Sequence, residues 1–145
     1  MRRFTLVEVI AVTVIMAMLA AVAVATLRDT PPNLAMGKAV DGFALLCGQA
    51  RVRAMETGTD CSVVFGGERR FYAAQDGKEL GFEWSIPDKF GFDPGKAEAG
   101  EELFRFFPDG GAAGNATLIL KYEDLARKLY ISPLTGMLEA DDEAE

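Results

Sequence analysis

Few residues in this chain have both the type and the setting to do chemistry, and the first is Glu8. It is the only charge between Arg3 and Arg28, inside FTLVEVIAVTVIMAMLAAVAVATL. A carboxylate at the lip of such a run costs on the order of a few kcal/mol in hydrocarbon unless a partner satisfies it. Ion pairing is therefore the chemistry to expect of it. The two thiols, Cys47 and Cys61, are not in a CxxC pair, so zinc, thioredoxin-like and haem-attachment readings have no support. Histidine is absent, which removes the commonest general base and the commonest metal ligand. No nucleophile–base pair, metal cluster or phosphate-binding loop is visible, so the sequence assigns no catalytic residue, no metal and no cofactor, and an enzyme is not expected.

The element that must position Glu8 is the apolar segment around it. From Phe4 to Leu27, a helix rising about 1.5 Å per residue would reach roughly 36 Å, enough to cross a bilayer core of about 30 Å. Arg2 and Arg3 precede it, which places the N-terminus in the cytoplasm and the rest of the chain outside it. A simple membrane anchor is the plainest reading. A cleaved secretory signal is a second, because Ala23-Val24-Ala25 has the small-x-small form; against it stand the length of the run and the acid at its start.

A third reading takes the segment as a motif. Phe-Thr-Leu-Val-Glu (4–8), with basic residues before it and an apolar helix after it, resembles the N-terminus of type IV pilins and type II secretion pseudopilins. The resemblance implies that a prepilin peptidase cuts before Phe4 and methylates its new amine, removing residues 1–3 as a leader. It also implies that Glu8 pairs with the amine of a neighbouring subunit when the apolar helices bundle into a filament. Pairing offsets the cost of the buried acid only in one axial register, so Glu8 would set assembly geometry. One position departs from the family's pattern: the cut normally follows glycine, and Arg3 stands there, a bulky cation that should hinder an enzyme accepting a small residue.

Beyond the span, Arg28-Asp29-Thr30-Pro31-Pro32-Asn33 is polar and carries two prolines, which predicts a break or kink. From Leu34 to about Glu56, Met36, Val40, Phe43, Cys47, Ala50 and Ala54 recur at helical spacing on one face. Thr57-Gly58-Thr59 ends this helix, and the texture then changes to short β-like runs separated by turn residues. Residues 61–65 and 70–74 read as a hairpin, with further strands at 80–86, 103–107, 117–122 and 128–132. Six or so strands behind one long helix give an α+β arrangement with an antiparallel sheet on the helix's apolar face.

This half extends the resemblance. Phe-Arg-Phe-Phe-Pro-Asp-Gly-Gly (104–111), the strand Thr-Leu-Ile-Leu (117–120) and Ser-Pro-Leu-Thr-Gly (132–136) look like the globular domain of the H-type minor pseudopilins and of the related FimT-type minor pilins. The fold so implied is pilin-like. Its parts are a leader 1–3, a transmembrane and assembly helix 4–27, a kinked continuation 28–57, a β-rich periplasmic domain 58–139 and an acidic tail 140–145. The function implied is that of a structural subunit of a short periplasmic filament, held in the bacterial inner membrane, that helps export folded proteins. The implied partners are other pseudopilins, the prepilin peptidase and methyltransferase, and the inner-membrane secretion platform. The alternatives are a minor type IV pilin serving pilus assembly or DNA uptake and, outside the family, an exported or singly anchored β-rich binding domain.

The remaining features have two readings each. Cys47 on the helix face and Cys61 at the first strand either pair in a disulfide, in an oxidising compartment, or are two small buried hydrophobes. Asp141-Asp142-Glu143-Ala144-Glu145 reads as a solvated end rather than a calcium loop. A net charge of -7 argues against nucleic-acid binding, and Arg69-Arg70 read as ordinary surface charges. Phe104 and Phe106 share one strand face while Phe107 points the other way, which leaves it for contact with a neighbouring subunit.

Overall fold

In the computed structural model, residues 6–26, 31–95, 97–114 and 116–142 are described. The chain divides into two units, residues 1–31 and 32–145. The first holds helix α1, Leu6–Thr26. The second holds helix α2, Pro32–Thr57, followed by strands only.

Helix α2 begins at Pro32, whose fixed φ suits a first helical position and whose missing N–H would have no partner there. It ends where Gly58 turns left-handed (φ 69°) and its N–H bonds the Ala54 carbonyl at 3.0 Å. Its buried side chains are Met36, Ala39, Phe43, Leu46, Cys47, Ala50 and Ala54. The core arc is thus centred as expected, except that Ala39 and Leu46 fill it and Val40 is only half-buried.

Nine strands follow among the described residues: β1 Cys61–Gly67, β2 Arg70–Gln75, β3 Lys78–Ser85, β4 Gly91–Asp93, β5 Glu102–Phe106, β6 Ala112–Ala113, β7 Leu118–Tyr122, β8 Leu125–Ile131 and β9 Leu138–Asp142. They form two antiparallel sheets, ordered β3-β2-β1-β5-β6 and β4-β7-β8-β9. The fold is therefore α+β, as the composition of runs implied. The β1–β2 hairpin lies where Gly66-Gly67 put it. Asp76 and Gly77 (φ 51° and 74°) close β2 onto β3, both with the positive φ that a tight type I′ hairpin demands.

Both sheets contribute to one core with α2. Phe43 lies at its centre, with ring centroids 5.4 Å from Phe71, 5.2 Å from Trp84 and 6.2 Å from Phe104. Leu118, Leu120, Leu129 and Ile131 bring the second sheet into the same cluster. Gly42 is where the Trp84 indole crosses the helix, and a Cβ there would come within 2.5 Å of the ring nitrogen.

The loops after β5 and β8 are fastened to α2 by one side chain. Arg51 Nε donates to the Gly110 carbonyl at 2.9 Å. Gly136, at φ 62°, abuts the same carbonyl so closely that a Cβ would lie 2.5 Å from it. The Pro-Asp-Gly-Gly and Ser-Pro-Leu-Thr-Gly stretches thus meet at one cation.

The structure corrects the acidic tail at 140–145. Ala140, Asp141 and Asp142 belong to β9, and Lys128 and Arg127 of β8 stand opposite Asp141 and Asp142 in register. Opposite charges across an antiparallel pair favour the strand, a long-range effect that composition does not display. Residues 143–145 lie outside the described residues, as do 1–5 and 27–30, so the leader and the first part of the polar break fall there, while Pro32 and Asn33 of that stretch already belong to α2.

Candidate assembly helix

Glu8 sits in the first turn of α1, where the positive end of the helix dipole favours a carboxylate. Around and beyond it the helix shows one polar side chain up to Val22, Thr13, whose hydroxyl donates to the Ile10 carbonyl at 2.8 Å. That bond removes its demand for an outside partner. The other side chains are Val, Ile, Leu, Met and Ala on every side of the helix. Leu6, Val7, Ile10, Ile15, Met18 and Val22 are each more than half exposed.

A helix apolar around its whole circumference has no solvent face, unlike the one-stripe pattern of a surface helix. It calls for apolar surroundings. Over their described residues, no helix is long and apolar enough to cross a membrane. The described side chains of α1, Leu6 to Val22, cover about 25 Å at 1.5 Å per residue, short of a core of about 30 Å. The segment expected to span, 4–27, extends past them at both ends. Arg3 and Phe4 lie outside the described residues.

The thiols do not pair. Cys47 and Cys61 are both free and buried. Cys47 stands about 15 Å along the helix axis before its end at Thr57, whereas Cys61 opens β1 just after that end. Disulfide geometry needs Cα atoms within about 7 Å. Burial pushes both thiols above their ordinary range, most strongly at Cys47, so they are core atoms rather than reagents.

The arginines expected at the surface are held by local acceptors. Arg69 donates from Nε to the Ile86 carbonyl at 3.1 Å and from Nη2 to the Pro87 and Phe90 carbonyls, the former at 2.6 Å. Arg70 bonds Glu83 at 2.8 Å and also Glu79, and its guanidinium lies over Tyr72. Arg105 bonds Glu102 at 2.8 Å. These cations are committed to carboxylates and carbonyls of the same chain.

Phe104 and Phe106 are fully buried, and Phe107 is half-buried just past β5. Phe107 lines an open groove of about 740 Å³ with Leu103, Arg105, Ala113 and Gly114. Sequence reasoning missed the outward line of α2, where Leu45 is 64% and Val52 48% exposed. Its signal was available: two large apolar residues seven apart, on the side away from Phe43 and Ala50. No group of three or more metal-ligating side chains is present among the described residues. Compared with known proteins, the chain matches no family model, no curated protein and no solved structure.

Proposed function

We propose that this chain is a minor pseudopilin of the H type, a structural subunit of the periplasmic filament of a type II protein secretion system. The observation that carries the reading is Glu8 in the first turn of a helix that is apolar on all sides. An anchor alone has no use for an acid there, whereas a filament core uses it as the single polar contact that selects one register. Phe4, freed by cleavage after Arg3 and methylated, would supply the amine that Glu8 pairs with in a neighbouring subunit. The helix spans the inner membrane before assembly and enters the filament core afterwards.

The β-rich unit remains periplasmic and contacts other minor subunits, with Phe107 among the side chains offered. The chain is a substrate of the processing peptidase and performs no catalysis of its own. The net charge of -7, with Arg69, Arg70 and Arg105 held by internal acceptors, supports a role in secretion over one in DNA uptake.

The test is the location of the protein in its native host. The wild-type chain is expected in the sheared filament fraction with the other subunits. Glu8→Val is expected to stay in the inner membrane, with secretion reduced. An unchanged distribution and unchanged secretion on Glu8→Val would overturn the reading.

A further inference from the structure

The outward face of α2 has the pattern of a surface that pairs with itself. The geometry points to an antiparallel dimer in which α2 packs against α2 of a second copy of this chain. Apart from its buried arc, α2 presents Leu45, Gly48 and Val52 in line, and Leu45 is among the most exposed large apolar side chains of its unit. Leu45 stands at the edge of an open hollow of about 570 Å³ that Gly48, Gln49, Val52 and Phe82 of β3 also line. Gly48 provides its floor: a Cβ there would have nothing within 4 Å. Glycine inside an exposed helix is less stable there than alanine, and close approach of another backbone is a use that offsets that.

Charge commits the occupant. Lys38, Asp41, Arg53 and Glu56 are all exposed on α2 and run plus, minus, plus, minus along it. Lys38 with Glu56, and Asp41 with Arg53, share one midpoint, the level of Cys47. Lys38 and Glu56, five whole turns apart, lie on one line of the helix, so turning a second copy end over end about that level sets Lys38 opposite Glu56 of its partner, twice over by symmetry. Asp41 and Arg53 stand about 120° apart around the axis and do not meet. A parallel pair in register would instead set each charge beside its like. The same rotation brings Leu45 of the second copy level with Gln49, on the rim of the hollow. The hollow with its exposed leucine and the Lys38–Glu56 pair therefore share one axis.

The contact uses no residue of α1 and does not depend on the filament reading. The face is small, so the dimer is weak and concentration-dependent. Sedimentation of the full chain in detergent micelles, run with Lys38→Glu, Glu56→Lys and the double variant, tests it. Each single reversal turns two attractive pairs into repulsive ones and is expected to weaken dimerisation about 10-fold. The double variant should recover wild-type association. Gly48→Cys, close to the two-fold axis, should oxidise to a disulfide-linked dimer of itself. Association that ignores the single reversals, singles that lose it without recovery in the double, or a Gly48→Cys chain that does not cross-link would each overturn the proposal.

Discussion

Helices α1 and α2 are similar in length and opposite in design. Helix α2 turns Phe43, Leu46, Cys47 and Ala50 to the sheets and charges such as Lys38, Asp41 and Glu56 to solvent, so its environment is written into its period. Helix α1 has no such period. Its apolar residues run all round, and its single carboxylate stands at the start. The contrast lies in what each helix's own pattern provides: α2 has an apolar arc buried in the core of its unit, and α1 has no polar side to set against solvent.

Truncations break that comparison most sharply. Phe43→Ala, which empties the centre of the core, is expected to cost about 3–5 kcal/mol in urea unfolding of the β-rich unit. Ile15→Ala in α1, a residue outside that buried cluster, should leave that transition unchanged. Equal losses from the two would show that the helices share one core.

Gly136→Ala comes next. The residue must keep φ 62° with a Cβ pressed towards the Gly110 carbonyl and the Arg51 guanidinium, for a loss of about 1–3 kcal/mol by the same measurement. A neutral result would mean that the clamp on α2 does not hold the loops.

Thiol chemistry separates the core face of α2 from an exposed surface without altering stability. In the native protein Cys47 should resist alkylation and modify only on unfolding, and oxidant should produce no Cys47–Cys61 link. Mass spectrometry of alkylated peptides reads both.

The smallest expected effect lies at β9. The carboxylates of Glu139 and Asp141, which the Tyr130 hydroxyl bonds, push that phenol up from 10 to about 12. Because the folded pKa is the higher one, the stabilisation is whole below pH 10 and lost as pH rises towards 12. Tyr130→Phe should flatten alkaline unfolding over that window. Ultraviolet titration showing an ordinary phenol at this position would contradict the contact.

How much of this was legible in the sequence depended on how local the cause was. The core face of α2 follows from the spacing of Met36, Phe43, Cys47, Ala50 and Ala54, and the first hairpin from Gly66-Gly67 between two apolar runs. Strands β4 and β6, of three and two residues, are too short to show alternation. The end of strand β9, Ala-Asp-Asp (140–142), reads as a tail because its pairing depends on β8 and its basic residues Arg127 and Lys128. The meeting of Gly110 and Gly136 at Arg51 joins three distant stretches, and no local pattern encodes it. Glu8 is the reverse case. Its oddness, a lone carboxylate in an apolar run, is fully visible in FTLVE.

Processing at the start of α1 tests the central claim most directly. The measurement is the intact mass of the protein extracted from the membranes of its native host. The account predicts a chain beginning at Phe4 and carrying one added methyl group, despite Arg3 at the cut. A chain beginning at Thr26, as a secretory signal peptidase would leave it, or one still carrying residues 1–3 would contradict it.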